Sequence, residues 1–74
     1  MTDPLFKTGD VLLCIKDFRM TSGELAFKKG EQYKIDRVIT YVGVDWIDYD
    51  MDSIISTKHT MPEEDVNNYF QLSN

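Results

Sequence analysis

The sequence has a single cysteine, a single histidine and a single tryptophan, with only two prolines and four glycines. Cys14 has no second thiol to pair with, so no internal disulfide framework and no cysteine-built zinc site is available. The longest unbroken apolar run, Val11 to Ile15, has five residues. A membrane helix needs about 20, so no bilayer-spanning helix is expected. No basic segment followed by an apolar one opens the chain, so no secretory leader is expected and a cytoplasmic location is. There is no Gly-rich phosphate loop, no nucleophile elbow, no metal-ligand spacing, no linker and no low-complexity stretch. Basic residues are scarce: eight Lys and Arg stand against thirteen Asp and Glu, a net charge of −5. The one basic cluster is Lys28-Lys29 with Lys7 nearby. Nucleic-acid binding needs a basic footprint, so direct binding of DNA or RNA is disfavoured.

What is present suits one small domain. Seventy-four residues lie just above the roughly 50-residue floor for a domain. The apolar fraction of 42% is enough for a small core and argues against disorder. A chain this short buries roughly 60% of its extended surface, so modest stability is expected.

The pattern reads as short strands. Residues 1–5 form a loose tail. Gly9-Asp10 opens Val11 to Ile15, a strand buried on both faces, although a short buried helix has the same pattern. Lys16 to Gly23 is a polar loop, Leu25 to Phe27 a short apolar patch and Lys29-Gly30 a turn. Tyr33, Ile35 and Arg37 alternate with Lys34 and Asp36 at a strand's period of two. Gly43 marks a turn before Val44 to Asp50, again strand-like. One parity there holds Trp46, Asp48 and Asp50, a face expected to be wet. Met51 to Ser53 reads as a tight turn and Ile54 to Met61 as the returning strand. Pro62 with Glu63, Glu64 and Asp65 starts a helix of two turns, because proline suits the first turn and acids complement the dipole. Phe70 to Leu72 closes the chain as a last strand. Five short strands and one helical turn favour a small all-β barrel, which hides sheet edges. Phe6-Lys7-Thr8-Gly9-Asp10 and Phe27-Lys28-Lys29-Gly30-Glu31 share a pattern, read as one turn device used twice.

The order of these features resembles a Src-homology-3 (SH3) domain. Glu24-Leu25-Ala26-Phe27-Lys28-Lys29-Gly30-Glu31 is similar to the end of that family's RT loop. Cys14-Ile15-Lys16-Asp17-Phe18, Asp45-Trp46 and Met61-Pro62 follow in the family's order, covering about residues 10–72. The resemblance implies a five-stranded, partly open barrel with one short helical turn before the last strand. Its RT loop would be Lys16 to Leu25, its n-Src loop about Thr40 to Val44 and its distal turn Met51 to Ser53. The family binds proline-rich peptides on an aromatic groove. Here Trp46, Phe18, Glu24 and Pro62 match groove positions. Lys16 and Asp65 replace two groove tyrosines, unless Tyr69 serves for the second. A looser resemblance, through residues 9–18 and 64–70, is to small acidic accessory proteins of bacteriophages and mobile elements.

The candidate contact surface is therefore Phe18, Glu24, Trp46, Asp48, Pro62 and Tyr69. The expected activity is non-enzymatic docking on another protein with a basic or proline-containing surface, for example a host protein that it inhibits. An exposed strand edge is compatible with a homodimer. No cofactor, metal or membrane partner is expected. Asp45, Asp48, Asp50 and Asp52, extended by Glu63, Glu64 and Asp65, form an acidic patch with three readings. One is a solvated face that aids solubility. The second is calcium binding, but Ser53 and His59 occupy the positions where an EF-hand loop needs Gly and Glu. The third, the rival to protein docking, is an acidic mimic of nucleic acid that blocks a nucleic-acid-binding enzyme such as a defence nuclease. Cys14 and His59 read as core and structural residues, lacking the third partner that nucleophilic catalysis needs.

Overall fold

The computed structural model describes residues 3–73. Seven strands and one helix follow one another: β1 (Val11–Cys14), β2 (Phe18–Arg19), β3 (Leu25–Phe27), β4 (Gln32–Thr40), β5 (Ile47–Met51), β6 (His59–Pro62), α1 (Glu63–Tyr69) and β7 (Phe70–Leu72). Five strands form one antiparallel sheet in the order β6-β5-β4-β1-β7, and β2-β3 form a separate hairpin. The domain is thus small and mostly strand with one short helix, and the expected five strands are seven.

The shared Phe-Lys-x-Gly-acid pattern is one device used twice. In each copy the acid's N–H bonds back to the lysine carbonyl, Asp10 to Lys7 at 3.0 Å and Glu31 to Lys28 at 3.1 Å. Gly9 and Gly30 take positive φ, 92° and 91°, at equivalent places in these turns. L side chains resist that backbone, so glycine sets both turns. The two turns feed β1 and β4, which pair with each other.

β1 alternates rather than being buried throughout: Leu12 and Cys14 are buried, Val11 and Leu13 half-buried. The core gathers Leu12, Ala26, Phe27, Ile35, Tyr49, Met51, Met61, Val66 and Phe70, with Phe6. Phe27 is its hub, with Tyr33 at 4.9 Å and Phe70 at 5.2 Å between ring centroids, both edge to face. Such pairs add about 0.5–1.5 kcal/mol each beyond area burial. α1 is too short to be stable alone. Val66 in the core holds it, and the chain leaves the helix where Phe70 enters that core.

Three boundaries differ from expectation. β5 begins at Ile47, so Trp46 stands just before the strand. β6 begins only at His59, and residues 52–58 form a loop. Ile54 and Ile55 are β-branched and suit a strand, but Ser53 captures them in a turn. Its Oγ accepts from the N–H groups of Ile55 and Ser56 and donates to the Ser56 carbonyl. Local side-chain bonds of this kind compete with a sheet ladder. Pro62 is the cap before α1 rather than its first residue. The N-terminal segment is also less loose than expected. Phe6 is buried against Tyr49, and the Leu5 N–H donates to Glu63 at 3.1 Å. Met1 and Thr2, part of the expected tail, lie outside the described residues.

A bulge in β4 decides the fate of Asp50. Ile35 pairs with Met51, and the next pair is Arg37 with Asp50, leaving Asp36 extra. A regular ladder would set Asp36 opposite Asp50, and like charges directly opposite destabilise a sheet. The bulge puts Arg37 there, and its Nη2 lies 3.0 Å from Asp50 Oδ2.

Candidate functional site

Trp46 is 53% exposed, unusual for the only tryptophan of a small domain. It sits where the β4–β5 hairpin returns to the sheet. The indole is not adrift: its N–H donates to Asp48 Oδ1 at 2.8 Å. The other oxygen of that carboxylate accepts from the Tyr41 hydroxyl at 2.7 Å. That bond, the largest cause, raises the Tyr41 pKa above its usual value. One carboxylate thus braces two aromatic rings on the rim of the hairpin.

Two hollows flank the indole. A cleft of about 290 Å³ has an apolar lining of Leu5, Trp46, Ile47 and Pro62, with Asp45, Glu63, Glu64 and Asn67 supplying its polar part. A larger hollow of about 510 Å³ is formed by residues 40–47 with Asp3 and Pro4. Asp45, Trp46 and Ile47 belong to both, so the hollows make one continuous surface. Among the described residues no Lys, Arg or His lines either one. The exposed apolar side chains Tyr41, Val42 and Val44 extend the surface along the hairpin tip.

The structure therefore unites Trp46 and Pro62 with three of the acids, Asp45, Glu63 and Glu64. Phe18 and Tyr69 go elsewhere. They pack edge to face at 5.0 Å beside the core, Phe18 also against Phe27 and His59, and Lys16 approaches the Tyr69 ring at 6.0 Å. Neither lines the Trp46 cleft. Glu24 lies in the exposed β2–β3 turn, where its carboxylate accepts from Ser22 and its carbonyl from the Met20 N–H. Asp48 is a brace beneath the aromatics rather than a free charge.

The acidic patch does not form one face. Asp50 is buried instead of wet, and it accepts from Arg37 Nε at 3.1 Å and from the Thr60 hydroxyl at 2.6 Å. Asp52 accepts from the Lys58 N–H. Glu63 takes the Leu5 N–H and the Tyr49 hydroxyl. Asp65 is half-buried in the first turn of α1. Asp48, Asp50 and Asp52 thus turn to three different partners, and they do not converge as a calcium loop requires.

Cys14 is buried, and its Sγ–H donates to the Lys16 carbonyl at 2.9 Å. Burial pushes its pKa up, the reverse of what a reactive thiolate needs. His59 is half-buried between Phe18 and Phe27, and desolvation lowers its pKa.

The sequence pattern did not mark Tyr41, Val42, Val44 or Leu5 as part of this surface. The available signal was Tyr41-Val42-Gly43-Val44, an apolar stretch astride a turn where polar residues are usual. No family model, no curated protein and no solved structure matches this chain. Among the described residues no helix is long and apolar enough to cross a membrane.

Proposed function

We propose that this chain is a small non-enzymatic docking domain of the SH3-like barrel type, which binds another protein through the Trp46 surface. Several features support the SH3-like reading. Sheet neighbours follow chain order from β4 to β6, and the last strand returns beside the first. The β2–β3 hairpin falls in the RT-loop segment, and one short helix precedes the last strand. The bulge in β4 also suits a curled sheet.

The observation that carries the docking function is Trp46: half exposed, braced by Asp48, and facing a cleft with Pro62. Tryptophan is enriched among interface hot spots, because it supplies a large contact area at low entropic cost. Binding of proline-rich peptides draws less support, since Phe18 and Tyr69 are packed away from Trp46. The acidic-mimic alternative also draws less support. Asp48, Asp50 and Asp52 are each engaged by the chain's own groups, so the expected row of free charges is broken. An accessory role on a host protein fits the same surface.

The test is affinity capture from a lysate of the source organism, with wild type beside Trp46→Ala at low and moderate salt. A protein held by wild type at both salts and lost with Trp46→Ala supports docking. Capture that survives Trp46→Ala and vanishes with salt overturns it, because electrostatic decoys are screened and apolar anchors are not.

A further inference from the structure

We infer that a second copy of this chain covers the tip of the β4–β5 hairpin, in a symmetric homodimer centred on Val42 and Val44. This goes beyond the docking reading and does not depend on it.

The tip has the composition of an interface core. Residues 38–44, Val-Ile-Thr-Tyr-Val-Gly-Val, carry no charge. Val42 is fully exposed, Val44, Trp46 and Leu5 are more than half exposed, and Tyr41 is slightly less so. A whole aromatic side chain offers about 150–250 Å², so Tyr41 and Trp46 present roughly 200 Å² together. The three aliphatic side chains add roughly another 200 Å². A stable dimer needs about 800 Å² from each partner, about 65% of it apolar in homodimers. The five side chains supply most of that apolar share. An exposed apolar patch of several hundred Å² on so small a domain marks a contact surface.

The same hairpin supplies a knob and a hollow. Val42 stands clear of the rest of the chain beside the turn at Gly43, whose φ is 83°. Residues 40–47, with Asp3 and Pro4, enclose about 510 Å³ next to it. A two-fold axis sets the Val42 of each copy against the hollow of the other, an isologous contact that closes at two chains.

Charge is confined to the border of this contact. Asp48 is engaged by Tyr41 and Trp46, and Asp45 and Glu64 border the hollows. Two copies therefore meet through uncharged tips, while their net charges of −5 repel from a distance. Salt screens that repulsion and leaves the apolar contact. The sheet edges offer no comparable contact. β6 and β7 have four and three residues, and β6 ends in Pro62, which cannot donate to a ladder. The dimer covers Trp46, so a docking partner and a second copy compete for one surface, and dilution frees it.

Sedimentation equilibrium of the full chain, from micromolar to millimolar and at low and high salt, tests this. The wild-type mass is expected to rise from the 8.6 kDa of one chain toward twice that value. Trp46 fluorescence should shift to the blue in step, as water leaves the indole. High salt should tighten the association several-fold. Val42→Asp should weaken it about tenfold or more, because it sets like charges inside the contact. Val42 is fully exposed, so the variant keeps its fold, and circular dichroism checks that. Ile54→Asp makes the same charge change on an exposed apolar residue of the β5–β6 loop and should leave the association intact. A single-chain mass at millimolar concentration overturns the inference. So does association that high salt weakens, or that Val42→Asp leaves unchanged. Equal loss in Ile54→Asp and Val42→Asp overturns it too, since net charge and not the hairpin would then govern association.

Discussion

Replacing Arg37 by Met keeps most of the stem and removes the guanidinium. The Asp50 carboxylate then keeps only the Thr60 hydroxyl. Among the described residues Asp50 is the one buried charged residue, and its side chain is 3% exposed while that of Arg37 is 68% exposed. An exposed ion pair contributes about 0–1 kcal/mol. Breaking a fully buried one costs about 3–5 kcal/mol, because it strands a charge. This pair is buried at the acceptor and wet at the donor, and water can reach part of the space that Arg37 leaves. The expected loss is therefore about 2 kcal/mol. For a domain of this size that lowers Tm by roughly 8–16 °C. Asp50→Asn should cost less, since the amide still meets Thr60 and the exposed Arg37 returns to water. Arg37→Met/Asp50→Asn should then be more stable than the sum of the single losses, by about 1 kcal/mol. Thermal and urea unfolding of the four proteins measure this cycle. Arg37→Met within about 0.5 kcal/mol of wild type would refute the reasoning, as would strict additivity of the cycle.

Three further outcomes are expected. Burial and the bond to Glu63 push the Tyr49 pKa up from 10 to about 12. A raised pKa means that the folded state favours the neutral phenol, so stability is whole below pH 10 and declines as pH rises toward 12. Tyr49→Phe should lose about 1 kcal/mol at neutral pH and flatten that alkaline decline, seen in urea unfolding across this range. For His59 the shift is downward from 6.5 by desolvation, so its contribution is present above pH 6.5 and is lost as pH falls below it. His59→Leu should reduce the loss of Tm on acidification from pH 7 to 5, and an unchanged slope would count against burial of the neutral ring. Cys14 should resist iodoacetamide in the native protein and react fully in denaturant, since its thiol is buried with a raised pKa. Fast native labelling, followed by mass spectrometry, would contradict that burial.

Much of the strand pattern was written locally. Gly9 and Gly30 each sit in a turn that only left-handed backbone closes, and both turns were legible from the repeated Phe-Lys-x-Gly-acid pattern. The helix start at Pro62-Glu63 and the last strand at Phe70 were legible too, from cap chemistry and apolar spacing. Ile54 and Ile55 were not, because a single hydroxyl at Ser53 outweighed their preference for strand. Trp46 and Pro62, put in the candidate contact surface through the resemblance, come together in the cleft with Asp45, Glu63 and Glu64, which were read as part of the acidic patch. Phe18 and Tyr69 were placed with them by resemblance, yet their rings pack beside the core.

The sequence by itself determined where the chain turns, which residues are apolar enough to pack, and that charge would be acidic. These depend on φ preferences and transfer energies that each residue carries alone. Tertiary structure decided what each carboxylate does. Asp48, Asp50 and Asp52 look alike in the chain. One extra residue in β4 brings Arg37 opposite Asp50, a folded hairpin brings Tyr41 and Trp46 onto Asp48, and a loop places the Lys58 N–H on Asp52. Those partners lie up to 13 residues away. Register across a sheet is a property of two strands together, and neither strand's sequence states it.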